Sequence, residues 1–132
     1  PSAPQTPSVL GTWTVTYSAV STGGGVPAGS TQCPGGTLSI TAQSGGAFSG
    51  TIIITGSCAH ASNVTGQMDS SGVVSTFVLS SRLGGLPSSC SVLTEPPFTG
   101  RLVGNALTVT SRNSYRCLGQ DVFVDRTLSA TR

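Results

Sequence analysis

Lysine is absent from this chain. Six arginines and four acids are its only formal charges apart from one histidine, so charged side chains make up 8% of the 132 residues, against about 25% in an average soluble domain. Such a surface must be solvated mainly by Ser, Thr, Asn and Gln. A net charge of +2, scattered along the chain, excludes the basic footprint that a nucleic-acid partner requires. Long apolar runs are missing too. None exceeds three residues, Ile52-Ile53-Ile54 among them, whereas a membrane-spanning helix needs roughly 18.

The chemistry-bearing residues are equally sparse. The single histidine, His60, sits in Ala59-His60-Ala61 with no acid nearby in sequence, so the base and orienting acid of a hydrolytic triad are not supplied. There is no Gly-x-Ser-x-Gly, no P-loop and no metal-ligand spacing. Asp121 and Asp125 share the outward face of one strand segment, but nothing else suggests the cleft a glycosidase pair needs. The chain is therefore expected to be no enzyme and to carry no cofactor. Asn63-Val64-Thr65 is a glycosylation sequon, a pattern common by chance.

What is present is β-sheet material. Hydrophobic residues are 36% of the chain and fall in alternating runs, not in a diluted polar tract. Residues 1–9 carry three prolines in their first seven positions and are expected to form an extended linker or tether; residues 10–132 are expected to form one domain. The opening on Pro1 rather than methionine fits a processed form. Eight strand segments follow: 10–20, 37–42, 47–55, 64–69, 73–80, 98–103, 106–111 and 122–130. The connections at 44–46, 70–72 and 104–105 are tight hairpins with glycine for positive φ, while those at 21–36, 56–63, 81–97 and 112–121 are long. In a meander, alternate connections lie at opposite ends, so short turns gather at one end and long loops at the other. Eight sequential antiparallel strands close naturally into an up-and-down barrel, which removes exposed edges.

Parity gives the two faces. Trp13, Val15, Tyr17, Leu38, Ile40, Phe48, Ile52, Ile54, Val64, Met68, Phe77, Leu79, Phe98, Leu102, Leu107, Val109, Val122, Val124 and Leu128 point inward, and threonine dominates outside. So many Ile, Leu and Phe in a narrow barrel favour a filled interior. Phe48-Ser49-Gly50-Thr51-Ile52, Val64-Thr65-Gly66-Gln67-Met68 and Phe98-Thr99-Gly100-Arg101-Leu102 repeat one form, apolar, hydroxyl, Gly, variable, apolar. An inner glycine there lets the strand coil and leaves room for a bulky neighbour. Arg126 breaks the pattern by pointing inward beside the first strand, within reach of Trp13, as a plug held by a cation over an indole.

Four cysteines without a CxxC favour disulfides over zinc, hence a secreted, periplasmic or outer-envelope location. Cys33 and Cys58 are nearly symmetric about Gly45, and Cys90 and Cys117 about the Gly104-Asn105 turn, so the expected pairs are Cys33–Cys58 and Cys90–Cys117. All four lie at the long-loop end with His60, Arg82, Glu95, Arg112, Tyr115 and Arg116. Loops on a rigid barrel carry binding residues, which makes Arg82, Arg112, Tyr115, Arg116 and His60 the candidate ligand- or partner-binding set.

Gly11-Thr12-Trp13 on the first strand and Arg126 on the last resemble the calycin group, the lipocalins and avidins, whose barrels open with Gly-x-Trp and lay an arginine or lysine from the last strand across the tryptophan. Gly46-Ala47-Phe48-Ser49-Gly50-Thr51 is similar to avidin hairpins. The resemblance implies an eight-stranded up-and-down barrel. Avidins line their biotin pocket with several tryptophans and this chain has one, so biotin is not implied; the later Thr-Asp-Tyr-type motif and the helix of lipocalins are not evident either. In overall look the chain is similar to cysteine-stapled bacterial barrel lipoproteins. Two function classes follow. One is a non-catalytic binding barrel that recognises a small apolar ligand or a protein through its long-loop end; the other is a structural subunit docking on a larger membrane or extracellular assembly. A cavity above roughly 300 Å³ between the long loops would mark the first, a filled barrel with a contiguous contact patch the second.

Overall fold

The computed structural model of the protein describes residues 5–23, 29–33, 35–81 and 89–132. Among these, ten strands form one antiparallel sheet: β1 Gly11–Gly23, β2 Gly29–Cys33, β3 Gly36–Ser44, β4 Ala47–Ile54, β5 His60–Met68, β6 Val73–Leu79, β7 Cys90–Thr94, β8 Phe98–Val103, β9 Ala106–Cys117 and β10 Gln120–Thr131. Eight of them run β1-β3-β4-β5-β6-β8-β9-β10 and close where β10 pairs with both β9 and β1. The result is the expected all-β, up-and-down barrel. Its chirality of faces follows from period-two alternation: the inner residues form one apolar cluster, and hydroxyls cover the wall. One outer row, Ser18, Thr127, Thr110 and Thr99, crosses four strands in register.

The two remaining strands prolong barrel lanes beyond the long-loop end. Thr14 faces Thr37 on β3 and Tyr17 faces Cys33 on β2, registers that differ by one residue. Likewise Thr110 faces Thr99 on β8, while Ser114 faces Thr94 on β7. Glu95-Pro96-Pro97 separates β7 from β8 because proline offers no N–H to the ladder. The expected long connection at 112–121 is instead a continuous hairpin, paired from Ala106 opposite Thr131 to Cys117 opposite Gln120. Its tip, Leu118-Gly119, has φ of 51° and 78°, the type I′ pattern that suits strand twist. The alternation was hidden there because the inward residues Ser111, Asn113 and Tyr115 are polar.

Both expected disulfides form, Cys33–Cys58 and Cys90–Cys117, and such bonds are characteristic of oxidising compartments outside the cytoplasm. Closing segments 25 and 27 residues apart in sequence, each contributes about 3–4 kcal/mol by restricting the unfolded chain. The first tethers β2 to a short 3-10 turn at Gly56–Cys58; the second staples β7 to β9 where the two cysteines face each other.

The short-turn end is plugged by Trp13, fully buried, but Arg132 covers it rather than Arg126. The Arg132 guanidinium lies 4.4 Å from the indole centroid, donates to the carbonyls of Leu10 and Ser8 and reaches Asn105 Oδ1. Arg126 stands higher in the barrel, 4.3 Å from the Phe98 ring. The pairing explains the difference. β10 runs antiparallel to β1 with Thr131 opposite Thr14, whereas Arg126 faces Ala19, nearer the open end. The lead segment also belongs partly to the domain. Val9 is fully buried, its carbonyl accepts from the Trp13 indole, and Gln43 bonds Pro7 and Val9; residues 1–4 of the expected linker lie outside the described residues.

The repeated glycines are required by close strand approach. A Cβ on Gly100 would lie 1.9 Å from the Thr108 carbonyl oxygen, and one on Gly50 1.9 Å from that of Ser39. Neither backbone can yield without breaking its ladder, so Gly100→Ala is expected to lower unfolding free energy by about 2–3 kcal/mol, measured by urea denaturation. The same measurement on Arg132→Ala should show a loss of about 1–2 kcal/mol from the stacked, charge-assisted contacts.

Candidate functional site

The interior is not uniform. Trp13, Leu38, Ile52 and Leu107 are fully buried in it, and Phe48, Phe77 and Phe98 lie side by side, with centroids 6.2 and 6.0 Å apart in successive pairs. Polar residues also take inward positions: Tyr17 on β1, Ser62 on β5, Ser111, Asn113 and Tyr115 on β9, and Arg126 on β10.

An opening follows from the pairing of β6 with β8. The two strands meet only at Val73–Arg101, Val74–Gly100 and Phe77–Phe98, with a register shift between Val74 and Phe77. That bulge turns both Val74 and Phe77 inward, a break in alternation that parity alone did not reveal. Past Phe77 and Phe98 the strands part. The gap forms a cleft in the wall of about 330 Å³, lined by Phe77, Val78, Leu79, Ser80, Ser81, Glu95, Pro96, Pro97, Phe98 and Arg126. The apolar interior itself is packed, with its inward residues buried in one cluster.

Arg126 donates its Nε–H to Ser111 Oγ at 2.9 Å and lies against the Tyr17 hydroxyl. Among the described residues no carboxylate is paired with it. Asn113 is 2% exposed; its Nδ2 donates to the Tyr115 hydroxyl at 2.8 Å, and that hydroxyl donates to Glu95 Oε1 at 3.0 Å. No described side-chain or backbone group reaches Asn113 Oδ1. Ser62 Oγ lies 3.2 Å from Ser80 Oγ and accepts from the Ser81 backbone N–H, and Ser80 and Ser81 line the cleft.

The candidate binding residues are divided by parity. Tyr115 points inward and joins this cluster. His60, the first residue of β5, bonds Ser81 through Nε2 at 3.2 Å to Oγ and so stands at the cavity rim. Arg112 and Arg116 occupy strand β9, not a loop, and face outward: Arg112 pairs with Asp125 at 2.7 Å and Arg116 with Asp121 at 2.8 Å, each with the residue directly opposite on β10. Arg112 holds the Asp125 carboxyl below its ordinary range. Arg82 lies outside the described residues. Tyr17, Ser111, Asn113, Glu95 and Arg126 complete the polar interior; the signal in the sequence was the run of polar residues at inward parity from Ser111 to Tyr115.

No protein-family model matches the chain, and neither a curated protein nor a solved structure matches it. The closed eight-stranded barrel is compatible with a calycin-like architecture, and the functional reading rests on the site itself.

Burial raises both tyrosines above their ordinary value of 10. For Tyr17 the nearby Arg126 charge opposes the rise; for Tyr115 the Asn113 bond opposes it and the Glu95 contact adds to it. These are the only two tyrosines. Ultraviolet titration of the folded protein at pH 10 should therefore show far less phenolate than the half-ionised level of free tyrosine. In the unfolded chain both ionise near 10, so the native state retains more protons above that pH. The stability due to the neutral hydroxyls is intact below pH 10 and lost as pH rises toward the folded-state values.

Proposed function

We propose that this protein is a non-catalytic binding barrel of the extracellular space or cell envelope, taking a small ligand into the cavity at its long-loop end. The observation that carries the reading is the cleft of about 330 Å³ where the wall parts between β6 and β8, in the size range of small-molecule sites. Its lining combines Val78, Leu79 and the two prolines with a few polar groups, here Arg126, Glu95 and serines. Two disulfides brace the strands around the mouth and lower the ordering that binding would otherwise require, and they favour a secreted or periplasmic setting. The outer wall is hydroxyl-rich where a membrane barrel would be apolar, so membrane association would come through a tether or a partner.

One observation favours the alternative, docking on a larger assembly. Leu118 is 85% exposed at the tip of the β9–β10 hairpin, in a left-handed conformation that L-residues with bulky side chains seldom adopt, and Cys90–Cys117 stiffens the strands beneath it.

Native mass spectrometry of the protein isolated from its source separates the two. The binding reading expects a small-molecule adduct that disappears in a Leu79→Trp variant, whose larger side chain fills the cavity while circular dichroism remains unchanged. A bare mass together with a co-purifying protein, lost on Leu118→Asn, would instead establish the docking role.

A further inference from the structure

Five consecutive residues, 77–81, line one bank of the cleft. Side chains alternate between the faces of a strand, so an unbroken run along a cleft means that the strand presents its backbone edge. The phase of the hydrogen bonds says which groups stand there. The Ser80 N–H donates to the Asn63 carbonyl at 2.9 Å, so Ser80 and, two residues earlier, Val78 direct their main-chain groups to β5, where Thr65 faces Val78. Phe77 and Leu79 are out of phase with them and direct theirs to the other side. At Phe77 that side is occupied by Phe98 of β8. The next ladder position would set Leu79 against residue 96, a proline followed by a second proline, and proline brings no N–H. The pairing ends there, and no described residue bonds the main chain of Leu79 from this side. The Ser81 N–H is already taken by Ser62 Oγ at 3.1 Å. The open edge is therefore one residue, Leu79, with one donor and one acceptor facing the cleft.

Resting on the binding reading above, we propose that the ligand is an extended peptide segment that adds to β6 as a strand at Leu79, with an acidic side chain reaching Arg126. The peptide residue opposite Leu79 gives its N–H to the Leu79 carbonyl and accepts the Leu79 N–H, the exchange that closes an antiparallel pair. Residues paired across a ladder point to the same face. Leu79 packs inward against the core, so the side chain opposite it points inward as well, and Arg126 lines the cleft there. The Arg126 Nε–H is held by Ser111 Oγ and its guanidinium lies over the Phe98 ring, so the cation is oriented before the peptide arrives. A carboxylate side chain supplies a planar acceptor for the remaining N–H groups of the fork. Pro96 and Pro97 form the opposite bank, and a cleft of about 330 Å³ takes one extended chain, not the sheet of another barrel. At roughly 3.3 Å per residue, the bank from 77 to 81 runs beside about four residues of such a chain. Because β5 already holds β6 in place, the ordering cost of strand addition falls on the peptide alone.

The test is a titration of the intact, disulfide-bonded protein, followed by the NMR shift and hydrogen exchange of the Leu79 amide and by calorimetry. The probes are three mixtures of capped pentapeptides whose flanking positions hold Val, Thr or Ser. The central residue is Glu in the first, Gln in the second and N-methylated Glu in the third. The Glu mixture is expected to shift the Leu79 amide and slow its exchange. The Gln and N-methyl mixtures should each bind about tenfold more weakly or worse, one for want of the charge and the other for want of the N–H that the Leu79 carbonyl accepts. Arg126→Gln should bring the Glu mixture down to the affinity of the Gln mixture while the loss on N-methylation persists. If the N-methyl mixture binds as well as its parent, strand addition is wrong. If Gln binds as well as Glu, the pairing with Arg126 is wrong. If no mixture shifts the Leu79 amide, the peptide proposal falls, whereas the binding reading is decided separately by the adduct that Leu79→Trp removes. The three mixtures on the unaltered protein decide the matter even if the Arg126 variant does not fold.

Discussion

Closure of the barrel between its first and last strands is the constraint on which everything else depends. β1 and β10 are paired from Thr14 opposite Thr131 to Gly23 opposite Val122, joining residues about a hundred positions apart or more. This seam must overcome the largest loop-closure entropy in the chain, and it is where the structure concentrates its fastening. Arg132 reaches back to the Ser8 and Leu10 carbonyls and covers Trp13. Trp13 in turn holds the Val9 carbonyl. A single arginine at the end of the chain therefore links both termini of the domain, its only indole and, through Asn105, the β8–β9 turn. Without that seam the alternating strands would be an open sheet with two unsatisfied edges.

Low charge makes each charged side chain specific in role. A surface solvated by threonine and serine leaves few ions for general solubility, and several of the described ones sit in register with a partner or at an inward position. Cross-strand pairing accounts for Arg112 with Asp125 and Arg116 with Asp121. These exposed pairs set the register of the long hairpin more than its stability. Arg126 is the informative exception, because its position between apolar Leu128 and Val124 places a permanent charge where burial disfavours it.

Much of the architecture was legible in the sequence. Alternation identified all eight barrel strands and the inner face, and the near symmetry of the cysteines about two turns identified both disulfides. The glycine repeat marked three positions with no space for a Cβ: the expected bulky neighbour, Phe48, stands at Gly66, whereas at Gly50 and Gly100 the close neighbour is the backbone of the next strand. What was not legible has a common cause: patterns read from hydrophobicity fail where inward residues are polar or where the period slips. Ser111, Asn113 and Tyr115 disguised a strand as a loop, and the bulge in β6 concealed Val74. The exchange of Arg126 for Arg132 at the tryptophan was a matter of register, which parity leaves undetermined by any even number of residues. The candidate residues were divided accordingly: Tyr115 and His60 bond Glu95 and Ser81, which line the cleft, while Arg112 and Arg116 lie on the wall.

The opening itself is a consequence of the same few residues that end the regular sheet. Glu95-Pro96-Pro97 interrupts the lane shared by β7 and β8, since two successive prolines cannot donate to a neighbouring strand. With β6 ending at Leu79, no ladder spans the space between them beyond Phe77 and Phe98. A barrel that closed this gap would bury Arg126 with no access to solvent and no counter-ion among the described residues, an arrangement that burial of a charge makes unfavourable by several kcal/mol. The prolines and the arginine are thus mutually required: the break in the wall keeps the cation reachable, and the reachable cation gives the break a chemical character that a merely frayed sheet would lack.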